Sequence, residues 1–217
     1  MTPCCCPPPV DYDPIFSDRT ARDDLRAFRR DGAQGTTKRL IEALVAEGVE
    51  GASVIDVGAG VGAVSFGLLD AGADSFTDVD ASHAYLDAAR SEAERRGVAD
   101  RATFRFGDFV STGPELEPAD VVAMDRVICC YPDWRALTAT AISRSTRLIG
   151  LVYPVDRWWM RQAIKVLNLW MRLSRQSYRS YVHPSAPIEA QLRAAGFERR
   201  FLRRQLIWQT AVYRRAR

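Results

Sequence analysis

From residue 53 onward the chain alternates between two hydrophobic periods. Short, nearly continuous apolar runs at 53–57, 75–79, 102–106, 120–127 and 148–153 have the character of strands covered on both faces. Between them, 63–71, 82–96 and 133–142 place apolar residues at helical spacing. Strands alternating with helices predict an α/β fold with a doubly wound, mostly parallel sheet. A short helix at 188–195 is stopped by Gly196, and 197–214 reads as two strands with little between them, a terminal antiparallel hairpin that completes a seven-stranded sheet. Two helices precede the sheet. Ser17 opens and Gly32 closes the first, with Ala21, Leu25 and Phe28 on one face; the second, 36–48, carries Leu40, Ile41, Leu44 and Val45 as its stripe. The expected layout is a tail and lid helix over 1–35, then one domain over 36–217 with a helical lid inserted at 155–182.

The run at 54–62, V-I-D-V-G-A-G-V-G, ends a strand on three alternate glycines and leads into a helical pattern. Glycines there permit a tight turn and let a ligand approach the backbone, at the sheet edge where open α/β folds bind nucleotides. Gly58, Gly60 and Ala63 also satisfy the dinucleotide fingerprint, which alone is a weak signal. Three features oppose a pyrophosphate. Asp56 lies in the strand end, where a carboxylate accepts a hydrogen bond from an amine and repels phosphate. Gly62 adds a third glycine, and Gly107-Asp108-Phe109 puts another acid just past the strand at 102–106. Acids around a cofactor suit a positively charged one, and the sulfonium and ammonium of S-adenosylmethionine meet that description.

D-V-G-A-G-V-G resembles the first motif of the class I S-adenosylmethionine-dependent methyltransferases, and Thr77-Asp78-Val79-Asp80 resembles their second strand. The resemblance runs from about residue 40 to the end, with its three motifs in family order. It implies a Rossmann-like fold, S-adenosylmethionine as cofactor and methyl transfer as activity. Carried over residue by residue, it puts Asp80 on both ribose hydroxyls with Ala81 beside it, and Gly107, Asp108 and Phe109 at the adenine. Asp56, Gly58, Gly60 and Gly62 surround the rest. Asp125 and Arg126 fall where the family faces the methyl group and the acceptor. Asn-Pro-Pro-Tyr, the family's sign of amino-group methylation of bases, is replaced by Cys129-Cys130-Tyr131-Pro132-Asp133. With a short first helix, a lid after the fifth strand and His183-Pro184 near the last helix, the chain is also similar to the group around magnesium-protoporphyrin IX O-methyltransferase and the quinone-pathway methyltransferases. No substrate motif accompanies that likeness.

Composition narrows the field a little. A chain of 217 residues suits one domain, and its 47% apolar and 26% charged content is ordinary for a globular protein. A net charge of +3 is too small to argue for nucleic acid. Residues 1–9 are rich in Cys and Pro without the apolar stretch of a signal peptide, and no run reaches transmembrane length, so a cytoplasmic location is expected. Cys4, Cys5 and Cys6 are adjacent and lack the C-x-x-C spacing of zinc sites, and no metal site is expected. An odd count of five cysteines argues against a disulfide framework. Cys129 and Cys130 read as buried small hydrophobes, with a substrate contact as the alternative.

The segment 157–175 bears most on the acceptor. Arg161, Lys165, Asn168, Arg172 and Arg175 share one narrow face, against a broad arc that includes Trp158, Trp159, Met160, Ile164, Trp170 and Leu173. That arc is wider than covering a sheet requires, so it predicts a lid over a large apolar acceptor, a contact with a membrane surface, or a protein interface; the lid is preferred. Tyr12, Phe16 and the basic helix at 19–30 would complete an aromatic, arginine-lined roof, to which an apolar acid is a natural guest. Acceptor contacts are therefore expected from Tyr12, Phe16, Arg126, Tyr131, Tyr153 and Trp159. Asp125 and His183 are the catalytic candidates. A carboxylate acceptor arrives ionised and needs no base, whereas a hydroxyl needs one; a lone histidine beside a turn is more often structural. The expected function is methyl transfer to a small apolar acceptor at oxygen, carboxylate or hydroxyl, a tetrapyrrole-like acid among them. A nicotinamide-dependent oxidoreductase and a nucleic-acid methyltransferase compete with it. The expected partner is a small molecule and not nucleic acid, and the sequence gives no indication of oligomeric state.

Overall fold

The computed structural model describes residues 17–174, 176 and 178–216. Two helices, α1 (Asp18–Asp31) and α2 (Gly35–Ala46), lead into β1 (Ser53–Val57), α3 (Ala63–Asp70), β2 (Ser75–Asp80), α4 (His83–Arg96) and β3 (Ala102–Phe106). The one-turn helix α5 (Phe109–Thr112) precedes β4 (Ala119–Asp125), α6 (Trp134–Arg144) and β5 (Ser145–Pro154). Then come α7 (Trp158–Leu173), α8 (Ser185–Ala194), β6 (Phe197–Arg204) and β7 (Trp208–Arg215). The sheet runs β3-β2-β1-β4-β5-β7-β6. Strands β1 to β5 are parallel, and β7 lies antiparallel between β5 and β6. This is the doubly wound, mostly parallel seven-stranded sheet with a terminal hairpin that the periodicity predicts.

Alternation along the strands divides the core into two layers. Ile55 and Val57 of β1 join Met124, Ile149 and Tyr213 on one face, while Val54 joins Leu40, Phe66 and Val212 on the other. The order reverses between β1 and β4, the switch point beside which open α/β sheets hold their ligands. Strand β4 stops at Asp125, two residues before its apolar run does, because Arg126, whose amide still donates to the Val152 carbonyl at 2.9 Å, takes φ +63° and turns the chain out of the strand. Helix α5 has no signature of its own in the periodicity; the Asp108 side chain caps it by accepting from the Val110 amide at 3.0 Å.

Helix α1 is bound to the sheet domain through α4. Its Ala21 and Leu25 pack with Val61, Tyr85 and Ala88, so the first helix covers the glycine turn. Behind them Glu92, fully buried on α4, accepts from Arg29 at 2.8 Å, from Arg95 at 2.6 and 2.8 Å and from Arg96 at 2.8 Å. Burial pushes its carboxyl up, but the three guanidinium bonds outweigh that and hold it at about 2. A folded value below the unfolded one, about 4.3, means this contribution is present above that pH and is lost as pH falls toward 2. Glu92→Gln is therefore expected to cost about 1–2 kcal/mol near neutrality, a modest figure because the arginines are partly exposed. The loss should shrink at pH 2. Thermal melts of both proteins at the two pH values check this, and an equal loss at both would refute it.

Candidate active site

The carboxyl ends of β1, β2 and β4 converge on the glycine turn. Gly58, Gly60 and Gly62 have φ of +61°, +58° and +77°, a region open to glycine and costly for other residues. At Gly58 an added Cβ would stand 2.6 Å from Val127, and at Gly62 2.7 Å from the Phe66 ring. At Gly60 it would meet only the Tyr85 ring, at 3.7 Å, so the outer side of that residue is open. The three glycine amides are all occupied inside the protein. Gly58 donates to the Val79 carbonyl at 2.7 Å, Gly62 to the Ala59 carbonyl at 2.9 Å, and Gly60 to Asp80 Oδ2 at 3.0 Å.

Asp80 is thus the keystone of the turn. Its other oxygen accepts from the Ser82 amide at 2.9 Å, and burial pushes its carboxyl above the usual range against those backbone bonds. A carboxylate has about four lone-pair sites, so each oxygen retains capacity for a further donor. Ala81, between Asp80 and the capping Ser82 of α4, is half-buried beside it.

Asp56 does not reach the surface of the turn, in contrast to its expected position near a bound amine. It is 1% exposed, and its cross-strand partner in register is Asp78, fully buried. The Ser65 hydroxyl lies 2.5 Å from Asp78 Oδ1 and 3.2 Å from Asp56 Oδ2, while Asp78 Oδ2 has no hydrogen-bond partner among the described residues. Burial pushes both carboxyls up, Asp78 to about 8, and Asp56 also feels the charges of Asp78 and Asp125. Asp78 is missed by motif reading, although its spacing from Asp80 along β2 is a visible signal.

Opposite the turn, Gly107 and Asp108 follow β3. Gly107 donates to the Asp80 carbonyl at 3.0 Å, and Asp108 Oδ2 accepts from the Tyr131 hydroxyl at 2.8 Å. The structure therefore joins Asp80, Gly107, Asp108 and Tyr131 into one lip. Phe109, an expected adenine contact, is instead core, packed among residues such as Leu137 and Met124 because the α5 turn points it inward. The aromatic exposed at this lip is Phe106, stacked on His83 at 3.7 Å between ring centres.

At the end of β4, Asp125 Oδ2 accepts from the Thr37 hydroxyl of α2 at 2.5 Å. Arg126 lies 3.3 Å from Asp125 Oδ1 and 3.4 Å from the Thr37 oxygen, with more than half of its side chain exposed. Thr37 carries no motif signal; only the docking of α2 on the sheet brings it here. His183 is buried, its Nε2 is 2.9 Å from the Tyr131 carbonyl, and its ring stacks on Tyr181. Burial lowers its basicity below the usual value. The ring is thus tied to the loop after β4 and aimed at backbone.

Tyr153, an expected acceptor contact, is 2% exposed and sits in the core with Tyr213 and Ile188, because β5 points it toward α8. Trp159 is half-buried on α7. Cys129 is buried and Cys130 partly so, with their sulfurs 3.7 Å apart and Cys130 2.9 Å from the Tyr178 hydroxyl. Tyr12, Phe16, Cys4, Cys5, Cys6 and Arg175 lie outside the described residues.

Comparison with known proteins agrees with this geometry. Residues 54–147 match the family described as a methyltransferase domain. Ribosomal protein L11 methyltransferases from Shewanella baltica and Shewanella putrefaciens are 34% identical over 92 residues, which is 42% of this chain and 29% of theirs. The match thus spans less than a third of those relatives' length. Among solved structures, magnesium protoporphyrin IX methyltransferase from Synechocystis PCC 6803, with bound S-adenosylhomocysteine, superposes with a TM-score of 0.71 at 22% identity, covering 95% of this chain and 97% of that one. An O-methyltransferase family protein from Burkholderia thailandensis gives 0.69 at 17% identity, over 95% of this chain and 63% of the other. The strand order and the glycine turn with its acidic lip are therefore those of the class I S-adenosylmethionine-dependent methyltransferase fold, and residues 54–147 are similar to a methyltransferase domain.

Proposed function

We propose that this protein transfers a methyl group from S-adenosylmethionine to a small apolar acceptor, at an oxygen. The observation that carries the cofactor reading is the use of the glycine amides. All three are satisfied within the protein, one of them by the Asp80 carboxylate, so the turn offers acid where a pyrophosphate needs free N–H groups. Asp80 and Asp108 suit hydroxyl and amine donors, and the open side of Gly60 leaves room for a cofactor against the backbone. These residues fit S-adenosylmethionine better than a nicotinamide dinucleotide.

When bound, S-adenosylmethionine supplies an electrophilic methyl carbon, and the protein's part is alignment and exclusion of water. In this proposal Gly58, Gly60, Gly62, Asp80, Ala81, Gly107 and Asp108 hold the cofactor, while Asp56 and Asp78 brace the turn from beneath. Arg126 would orient an anionic acceptor through paired hydrogen bonds, and Asp125, held between Thr37 and Arg126, would set the direction of that guanidinium. His183 supports the Tyr131 loop, and this arrangement favours an acceptor that arrives ionised, such as a carboxylate. Helix α1 and the inward face of α7 are the proposed lids. Nucleic acid is a weaker reading, because arginines on the hairpin face acids: Arg199 pairs with Glu189 at 2.5 Å and Arg200 with Glu47 at 3.5 Å.

Titration calorimetry is expected to give micromolar binding of S-adenosylhomocysteine and none of NADH; the reverse result would overturn the cofactor assignment. Incubation with labelled S-adenosylmethionine and a pooled small-molecule extract, followed by mass analysis of the product, then identifies the acceptor. A labelled product carrying its methyl on nitrogen or carbon would overturn the oxygen assignment.

A further inference from the structure

Helix α7 presents two different apolar faces, and among the described residues only one is used by the fold. At about 100° per residue, Met160, Ile164, Leu167 and Met171 line up on one side, and all four are buried or half-buried. The helix is also tied down by Asn168, whose side chain donates to the Ser180 carbonyl at 2.7 Å and accepts from its amide at 3.0 Å. On the far side, Trp158, Val166, Leu169, Trp170 and Leu173 are exposed by 76, 68, 58, 58 and 75%. Arg161, Lys165 and Arg172 form a strip along the flank between these two faces, and the helix carries no acidic residue.

An exposed stripe of tryptophan and aliphatic side chains edged by cations is the chemistry of a helix lying in the plane of a lipid interface. The stripe continues onto the hairpin. Val155, just before α7, donates to the Ile207 carbonyl at 2.8 Å, which brings the β6–β7 turn to the start of the helix. That turn exposes Leu206 by 72% and Ile207 by 46%, beside the exposed Arg203 and Arg204. Both elements lie past the carboxyl end of β5, on the edge of the sheet that holds the glycine turn.

We propose that the outer face of α7, together with the Leu206–Ile207 turn, docks this protein on an anionic lipid surface with the active-site edge toward the bilayer. Charge selects this occupant over a second copy of the chain. Two α7 faces laid together would oppose like charges, whereas anionic headgroups complement the exposed Lys165 and Arg172, Arg161 being already paired with Asp156 at 2.5 Å. The helix is 16 residues, about 24 Å long, which suits lying on a bilayer, and among the described residues no helix is long and apolar enough to cross one.

Flotation of the full chain with phosphatidylcholine vesicles, with and without phosphatidylglycerol, tests this without reference to methyl transfer. The protein is expected to float with the anionic vesicles at low salt, to be released at high salt, and to ignore neutral vesicles. Lys165→Gln/Arg172→Gln should weaken binding roughly fivefold per cation removed, and Trp158→Ser/Leu173→Ser should abolish it. All four side chains are exposed, so thermal midpoints and S-adenosylhomocysteine affinity should stay at their wild-type values. Absence of flotation, or variants that float like wild type, would overturn the proposal. A dimer in sedimentation that Trp158→Ser/Leu173→Ser abolishes, with no vesicle binding, would assign the face to a second copy instead.

Discussion

Replacing Asp80 with alanine is expected to weaken binding of S-adenosylhomocysteine by about 1.5–3 kcal/mol, roughly ten- to a hundredfold, the scale of hydrogen bonds to a charged group. Two effects act together. The variant loses the acceptor proposed for the ribose, and it loses the carboxylate that fixes the Gly60 and Ser82 amides at 3.0 and 2.9 Å. The freed Gly60 amide then faces the site as an unpaired donor. Asp80→Asn separates the contributions, because its amide oxygen can still accept from one backbone N–H while its nitrogen cannot accept at all. Calorimetry on the three proteins should rank them wild type, asparagine, alanine. Equal affinity across the series would remove Asp80 from the cofactor site and with it the main support for the S-adenosylmethionine reading.

The second large effect concerns the buried pair beneath the turn. Asp56 and Asp78 face each other across β1 and β2 with one serine hydroxyl between them, and one hydroxyl hydrogen cannot satisfy two buried carboxylates. Burial holds the Asp78 proton in the folded chain up to about pH 8, whereas in the unfolded chain it leaves near 3.9. A folded value above the unfolded one gives stability that is complete below about pH 3.9 and is lost as pH rises to about 8. Asp78→Asn keeps the shape, carries no charge and can donate to Asp56. It is expected to be more stable than wild type at pH 9 by about 1–3 kcal/mol, the scale seen when a buried charge is replaced, and nearly equal to it at pH 5. A variant destabilised at both pH values would mean that an ionised Asp78 supports the fold. Through this pair, Ser65 of α3 also links both strands beneath the glycine turn.

The fold was legible because its signals are local. Continuous apolar strands and amphipathic helices each declare their own period, and parallel order follows from their alternation. Where local signals were weak, elements shifted: the strand expected over 120–127 ends at Asp125, and α5 appears only through its Asp108 cap. The glycine turn was legible for a related reason, since positive φ at three alternate positions restricts the residues allowed there.

The direction of side chains was decided by packing. Asp56 and Asp80 are both motif acids, yet strand register buries the first against Asp78 and brings the second to the lip. Tyr153 stands at a strand end, as expected, but the layer it faces is the α8 side, which no local pattern encodes. Thr37 lies 88 residues from Asp125 in the chain and meets it only because α2 docks on the sheet. The two apolar faces of α7 were visible as one broad arc; contact with the domain chose which became core and left the other to solvent. The sequence by itself therefore determined the elements, their order and the glycine turn, since periodicity and backbone sterics act over a few residues. Which acids and aromatics reach the site was settled by tertiary contact, because exposure depends on neighbours that are distant along the chain.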